Sequence, residues 1–285
     1  MRTASPSDSL AAYATTRGSA DIDSLYAQLS VEPLAGLTVN GGVRYDHHST
    51  FGGNTVFGAG AAWALVKDRT ILRASYGEGF KAPSLYQLFG DFGDPTLIAE
   101  QAKGLDIGIV QKLFDGRIEL GATWFARKVR DQIDFDLGSF TYKNLASVRA
   151  RGFELEATVR PVEGLTIDAN YTRTRSINRE RTDPNFGNDL QRRPRDSFNV
   201  SADYRWAFGL EAGFTVSHVS GSFDDAGNLR RLEAYTLADI RAAFPVSETM
   251  TLFGRVENLF DERYQTASRF GQERRTFHVG VRLTY

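Results

Sequence analysis

The feature that most constrains this chain is an alternation of apolar and polar residues, repeated in segment after segment of unusual length. The last segment shows the alternation best. Its apolar set is Phe277, Val279, Val281, Leu283 and Tyr285, and its polar set is Thr276, His278, Gly280, Arg282 and Thr284. A period of two places successive side chains on opposite faces of a β-strand. The chain is therefore predicted to be all-β.

The same pattern recurs along almost the whole sequence. We predict thirteen strands, at residues 22–32, 37–47, 55–66, 69–78, 100–113, 117–133, 141–160, 164–174, 195–207, 209–219, 233–244, 249–259 and 274–285. Most are longer than the roughly five or six residues that are usual in soluble sheets. A tilted strand needs about 9–11 residues to cross a bilayer. Strand length and alternation together predict an antiparallel transmembrane β-barrel.

The predicted connections also alternate, between short turns and longer polar loops. The longer ones lie around residues 47–54, 79–99, 134–140, 175–194, 220–232 and 260–273. Outer-membrane barrels have short periplasmic turns and longer extracellular loops, so this order indicates such a barrel. Aromatic residues near the ends of apolar faces, such as Trp63, Trp124 and Tyr204, are typical of the two membrane interfaces. A soluble β-sandwich remains the alternative, because its strands also alternate.

Composition excludes several other classes. No apolar run approaches the roughly 20 residues of a membrane-spanning helix. The absence of cysteine excludes disulfide scaffolds, thiol catalysis and cysteine-based metal sites. A net charge of -1 provides no global basic field for nucleic acid, so any electrostatic function must be local.

The number of strands bears on completeness. Single-chain bacterial barrels use even strand numbers, whereas thirteen antiparallel strands would begin and end in the same direction. We therefore expect a cut in an outer loop, with residues 1–20 as a loop remnant or disordered segment and residues 21–285 as the C-terminal part of a barrel. The alternative is an overlooked strand around residues 10–14.

Three stretches resemble one family, the TonB-dependent outer-membrane receptors, and within it the cobalamin-receptor (BtuB-like) branch. The first is Tyr76–Gly90, with its Lys-Ala-Pro sequence, followed by Gly93-Asp94-Pro95. The second runs from Tyr142-Lys143-Asn144 to Arg151-Gly152-Phe153-Glu154-Leu155-Glu156. The third is Asn258-Leu259-Phe260-Asp261-Glu262-Arg263-Tyr264, just before the final strand.

This resemblance implies a fold, a location and partners. Family members form barrels of about 22 strands around an N-terminal plug that contacts the TonB complex, so plug and first strands would be absent here. The implied protein lies in the bacterial outer membrane and imports cobalamin or a related metal chelate such as a siderophore. A small passive porin or barrel enzyme, and a soluble β-sandwich binding module, are the rival hypotheses.

Candidate site residues follow mainly from position. Arg192, in Leu190-Gln191-Arg192-Arg193, resembles a ligand-contacting arginine of the cobalamin receptor, and Arg193 and Phe223 are predicted to bind ligand beside it. Phe223 stands where the resemblance implies a tyrosine. The arginine-rich loop 173–195 could contact lipopolysaccharide phosphates or an anionic substrate group.

The last strand has a second predicted role. Its alternating apolar residues Phe277, Val279, Val281 and Leu283, ending on the aromatic Tyr285, have the form of a signal read by the outer-membrane barrel assembly machinery. An edge strand with unpaired backbone groups suits such recognition. No catalytic constellation, cofactor motif or metal-ligand spacing is found, so we predict no enzyme, no cofactor and no metal site.

Overall fold

A computed structural model describes residues 19–136 and 139–284 of the chain as an antiparallel β-structure. Its strands are β1 (Ile22–Leu34), β2 (Leu37–His48), β3 (Gly52–Val66), β4 (Thr70–Lys81), β5 (Glu100–Leu113), β6 (Ile118–Asp136), β7 (Thr141–Val159), β8 (Leu165–Asn178), β9 (Asp196–Arg205), β10 (Glu211–Val219), β11 (Ser222–Phe223), β12 (Arg231–Leu232), β13 (Tyr235–Ser247), β14 (Met250–Glu257) and β15 (Thr276–Leu283). Thirteen of them form one sheet, in the order of the chain from β1 to β10 and then β13 to β15.

The thirteen predicted strands are all confirmed, and each pairs with its neighbours in sequence. The sequence pattern missed only β11 and β12, which form a separate two-residue hairpin inside one loop. β1 and β15 are the two edges of the sheet. Because the sheet contains thirteen antiparallel strands, its first strand β1 and its last strand β15 run in the same direction. Residues 1–18 of the predicted loop remnant lie outside the described residues.

The strand register keeps apolar side chains in continuous rows across the sheet. In one row Phe214 pairs with Ile240, which pairs with Val256, which pairs with Phe277. Val279 on the same face is 81% exposed, and the described residues include no large side chain that is fully buried. So large an exposed apolar face is unfavourable in water, and the sheet has almost no buried core that could offset that cost. In the hydrocarbon of a bilayer the same face is favourable.

The opposite face is polar and lined by ion pairs. Arg241 donates two hydrogen bonds of 2.5 Å to the carboxylate of Asp203 and one of 2.9 Å to Thr215 Oγ1. Further along, Arg255 and His278 both lie close to Glu257. A sheet face lined by charged pairs is typical of a polar barrel interior.

The connections sort by length at the two ends of the sheet. Four long ones, at residues 82–99, 179–195, 220–234 and 258–275, lie at one end, and short turns join the strands at the other. The predicted long loops at 47–54 and 134–140 are wrong. His47 and His48 pair with Gly53 and Gly52, which leaves a connection of three residues, and β6 continues to Asp136.

The only helix in residues 19–136 and 139–284 is α1 (Leu85–Phe89), within the connection 82–99. Ser84 and Gln87 form its capping box, because each side chain accepts a hydrogen bond from the other residue's backbone N–H. No helix in the described parts of the chain is long and apolar enough to cross a membrane.

Candidate functional site

Three long loops meet at one carboxylate. Asp224, in loop 220–234, has a side chain that is only 4% exposed. Its Oδ1 accepts a 2.8 Å bond from Arg192 Nε in loop 179–195 and a 3.2 Å bond from the Ser268 N–H in loop 258–275. Its Oδ2 accepts a 3.3 Å bond from Arg230 Nη1. Asp224 is therefore the residue that ties these three loops together.

The electrostatic environment of Asp224 favours its charged form. The hydrogen bond from the Arg192 guanidinium holds the pKa of the Asp224 carboxyl below its usual value, with help from the Ser268 N–H and Arg230. The neighbouring Asp225 accepts bonds only from within its own loop, from the N–H groups of Leu229 (3.1 Å) and Arg230 (2.6 Å). Asp224 therefore links different loops, whereas Asp225 stabilises its own loop.

A second link joins loops 179–195 and 220–234. The side chain of Asn228 accepts a 2.9 Å bond from the Asp189 N–H and donates one of 2.9 Å to the Asp189 carbonyl. The Asp189 carboxylate in turn accepts bonds of 3.1 and 2.6 Å from Arg195. The two loops are therefore held at two separated points, which restricts how they can move against each other.

Loop 258–275 is organised by the third stretch that resembles the receptor family. Asn258 is buried, and its Oδ1 accepts a 2.8 Å bond from the Glu262 N–H while its Nδ2 donates a 2.9 Å bond to the Glu262 carbonyl. Asp261 forms a two-point ion pair with Arg274, and the bonds from Arg274 lower the pKa of Asp261 to about 2. This stretch thus folds the loop back towards β15.

The second stretch that resembles the family holds loop 82–99, in which the first stretch ends. Asn144 Oδ1 accepts a 2.9 Å bond from the Ile98 N–H, and Asn144 Nδ2 donates bonds of 2.9 and 2.6 Å to the carbonyls of Ile98 and Asp131. Leu88 and Leu97 pack with Ile133 in a small buried apolar cluster beneath the loop. The side chain of Asn144 therefore fixes loop 82–99 on the extended hairpin of β6 and β7.

Gly152 in the second stretch is required by close packing. A Cβ added there would overlap the Arg173 carbonyl and lie 2.8 Å from the Phe125 ring, both of which belong to the sheet. The glycine therefore lets β7 and β8 approach each other while Phe125 stays buried.

The structure brings together two of the three predicted ligand-binding residues. The Arg192 N–H donates a 2.6 Å bond to the Phe223 carbonyl, and Arg192 has a left-handed backbone with φ of 55°. The Arg192 guanidinium is engaged by Asp224, whereas Arg193 is exposed and has no ion pair or side-chain hydrogen bond with any described residue. Arg192 therefore holds the loops together, whereas the Arg193 side chain has no partner among the described residues.

Sequence reasoning missed a groove beside this network. An open groove of about 590 Å³ lies between loops 220–234 and 258–275, with Arg231, Glu233, Arg263, Tyr264 and Gln272 among its lining residues. Arg231 and Arg263 are exposed and have no ion pair within the described part of the chain. Tyr264 stacks on Tyr235 with ring centroids 4.3 Å apart. Only the folded loops reveal it, since its two sides are about thirty residues apart in sequence.

The groove presents charged and aromatic side chains that are suited to binding. In residues 19–136 and 139–284, no group of three or more histidine and carboxylate residues could hold a metal ion. The guanidinium groups of Arg231 and Arg263 can donate bidentate bonds to a carboxylate or phosphate group. The arrangement can therefore recognise an anionic group at the loop end of the sheet.

The predicted assembly strand is the exposed edge β15. Its residues Phe277, Val279, Val281 and Leu283 lie on the apolar face with exposed fractions of 56 to 81%. They pair only with β14, through Val256, Gly254, Leu252 and Met250. Tyr285 lies outside the described residues. The geometry satisfies what an edge-recognition signal requires, and recognition by the assembly machinery stays a prediction.

Fold and site together define the class of this protein: the wall and outer loops of an antiparallel transmembrane β-barrel of the bacterial outer membrane. Long loops at one end, short turns at the other, an apolar outer face and a polar inner face are the characteristics of that class.

The particular family follows from comparison with known proteins. Residues 2–259 match the family described as "TonB dependent receptor-like, beta-barrel", and the chain belongs to that family. The vitamin B12 transporter BtuB of Vibrio vulnificus is 31% identical over 250 residues, which are 86% of this chain and 38% of the transporter. The family is one of receptors and transporters of the outer membrane, as the sequence resemblance implied.

Solved structures share the fold. A ferric enterobactin receptor from Pseudomonas aeruginosa gives a TM-score of 0.79 at 22% identity, covering 93% of this chain and 45% of that one. The ferric yersiniabactin uptake receptor from Yersinia pestis gives 0.75 at 21% identity, with the same coverage. The chain therefore spans less than half the length of the relatives that it matches.

Proposed function

We propose that this chain supplies the barrel wall and the substrate-capturing outer loops of a receptor that imports cobalamin or a related metal chelate. An N-terminal plug would close the polar interior, and pulling on that plug by the TonB complex would open a path. In this proposal the chain has no enzymatic activity of its own. The 31% identity to a vitamin B12 transporter supports cobalamin as the first substrate to test.

The observation that carries the proposal is the cationic groove at the loop end. Arg231 and Arg263 face it without a counter-charge of their own, and Tyr264 offers an aromatic surface beside them. Loops 179–195, 220–234 and 258–275 are linked through Asp224, so the groove walls are held in a fixed relation before ligand arrives. Preorganised loops lose less conformational freedom on binding, which favours capture of a dilute ligand.

A direct binding measurement tests the proposal. Equilibrium dialysis of the full chain in mild detergent would compare cyanocobalamin, which contains a phosphodiester, with a ferric catecholate complex. The variant Arg231→Gln/Arg263→Gln removes both free guanidinium groups of the groove. Arg117→Gln/Arg160→Gln is a matched control, since it removes two arginines next to the short turns at the opposite end.

We expect binding of one of the two chelates, weakened about tenfold or more in the groove variant and unchanged in the control, since two charge-assisted contacts are lost. The proposal would be contradicted if neither chelate bound, or if the groove variant and the control variant bound a chelate equally well. Preference for cobalamin would identify the substrate, and preference for the ferric complex would identify a siderophore instead.

The edge strand β15 supports a second, assembly-related part of the proposal. We infer that the barrel assembly machinery reads the outward row from Phe277 to Leu283 while the strand edge is still unpaired. Crosslinking from position 279 in growing cells would test this contact. Equal crosslinking from the inward position 278 would contradict recognition of the apolar row.

A further inference from the structure

Cations are concentrated on the outward face of the sheet, at the outer ends of four adjacent strands. Lys128 on β6 and Arg149 and Arg151 on β7 share the face of the apolar rows, because each lies an even number of residues from Trp124 or Phe153. We refer to these three cations as the outer basic patch. All three are exposed, and none has an ion pair or side-chain hydrogen bond within residues 19–136 and 139–284.

Register places like charges directly opposite each other in this patch. Lys103 pairs with Lys128, which pairs with Arg149. One step nearer the apolar band, Arg151 pairs with Arg175. Opposed residues in an antiparallel sheet have Cα atoms about 4.5–5.5 Å apart. Like charges on directly opposed residues destabilise the pairing, and an anion between the cations would relieve that repulsion.

Acidic side chains neutralise the flanks of the patch but not its centre. Lys103 is paired with Glu78 at 2.7 Å on one side, and Arg173 with Asp196 at 3.1 Å on the other. Arg175 lies 3.8 Å from Asp189. Within the described part of the chain, acidic partners are therefore present only at the edges of the patch. The three central cations have none in that part of the chain and are available to a ligand.

The height of the patch matches the membrane interface. The next outward row towards the membrane centre contains Trp124, Phe153 and Arg173 as direct register partners. Trp124 is 45% exposed, and the row below it is apolar, with Ala122 opposite Leu155. Aromatic residues concentrate at the headgroup level of a bilayer, so cations one and two rows further out lie where lipid headgroups carry their phosphates.

The opposite ends of the same strands are different. There the outward positions are apolar: Leu113 on β5, Ile118 on β6, Val159 on β7 and Ile167 on β8. If the cations served only to keep the strand ends hydrated, we would expect cations at both ends of these strands. The asymmetry therefore indicates a ligand found at the outer leaflet alone.

We propose that the outer basic patch binds the phosphate groups of a phosphorylated lipid headgroup in the outer leaflet. Arginine guanidinium groups donate paired hydrogen bonds to phosphate, and a lysine ammonium adds a point charge. The acyl chains of the same lipid cover the row of Trp124 and Phe153. The proposal extends the sequence prediction of lipopolysaccharide contact from loop 173–195 to the strand ends, and it is independent of the substrate proposed above.

Native mass spectrometry of the full chain in detergent tests this binding. The probes are diphosphorylated lipid A, the same lipid without phosphates, and inorganic phosphate as a competitor in large excess. The patch variant is Arg149→Gln/Arg151→Gln, and Arg117→Gln/Arg160→Gln is the matched control next to the other ends of the same two strands. Thermal unfolding with and without lipid provides a second measurement.

We expect diphosphorylated lipid A to bind about tenfold more weakly to the patch variant and with unchanged affinity to the control, since two charge-assisted contacts are lost. The lipid should raise the unfolding temperature of the native chain but not of the variant, whose lipid-free stability should be equal or higher because like charges are relieved. Equal binding of dephosphorylated lipid, equal binding by the patch variant, or displacement by inorganic phosphate would each overturn the proposal.

Discussion

The junction at Asp224 supports a prediction that can be worked out from its contacts. The substitution Asp224→Asn keeps the shape of the side chain but removes its charge and replaces one acceptor oxygen by an amide donor. The hydrogen bond from Arg192 becomes a bond to a neutral oxygen, or it is lost if the amide nitrogen lies opposite Arg192. The longer bond from Arg230 likewise no longer has a charged acceptor. The Ser268 N–H keeps an acceptor only if the amide oxygen turns towards it.

The expected cost is moderate because both arginines are about half exposed. Hydrogen bonds to charged groups contribute about 1.5–3 kcal/mol, and exposure of Arg192 reduces its share to about 1 kcal/mol. The 3.3 Å contact of Arg230 adds less, so we expect about 1–2 kcal/mol in the free energy of loop opening. At about 1.4 kcal/mol per factor of ten, the opening equilibrium should increase about 5- to 30-fold.

Hydrogen–deuterium exchange of backbone amides in the detergent-solubilised chain measures this opening. Exchange should accelerate in all three loops, 179–195, 220–234 and 258–275, with the amides of Arg192 and Ser268 as the clearest reporters. The matched control is Asp225→Asn, whose acceptors serve only its own loop, so it should affect residues 220–234 alone. Unchanged exchange in the other two loops of Asp224→Asn would refute the role assigned to this carboxylate.

Three further predictions rest on other contacts. Asn144→Ala should increase exchange across loop 82–99 by about tenfold or more, because three backbone hydrogen bonds lose their partner; unchanged exchange at residue 98 would contradict this. Val279→Arg on the apolar face should reduce membrane insertion, at a cost of about 2–4 kcal/mol near the bilayer centre, whereas His278→Arg on the inner face should insert normally; equal insertion yields would contradict the assigned faces. The Asp261–Arg274 pair, with the Asp261 pKa lowered to about 2, should stabilise loop 258–275 above the usual carboxyl pKa of about 4 and lose that contribution as the pH falls towards 2; amide protection in that loop that does not change between these pH values would contradict the pair's contribution.

The strands could be predicted from the sequence because their signal is local. Alternation within β9, at Asp196–Arg205, is sufficient to identify a strand and its two faces without knowledge of its partners. The predictions failed where pairing extends a strand beyond its own pattern. β6 and β7 continue past the expected loop because Phe135 pairs with Tyr142, with ring centroids 5.3 Å apart.

The candidate site was predictable only in part. Arg192 and Phe223 were expected from sequence position to bind ligand, which stays a prediction, and the structure shows that their backbones are hydrogen-bonded. The sequence pattern did not indicate that Arg192 would be engaged by Asp224, which is 32 positions away, or that Arg231 and Arg263 would line one groove. Ionic contacts between loops depend on the conformation of each loop. Loop sequences have no regular alternation of residues from which that conformation could be predicted.

By itself, the sequence determined that this protein is a membrane barrel wall and which side chains face lipid or interior. The physical reason is that a period of two within each strand fixes both faces at once, whatever the neighbours are. Only the tertiary structure decided which residues meet across strands and between loops. Like charges such as Lys128 and Arg149 become a binding surface only because register places them opposite each other, and register is a property of paired strands, not of one segment.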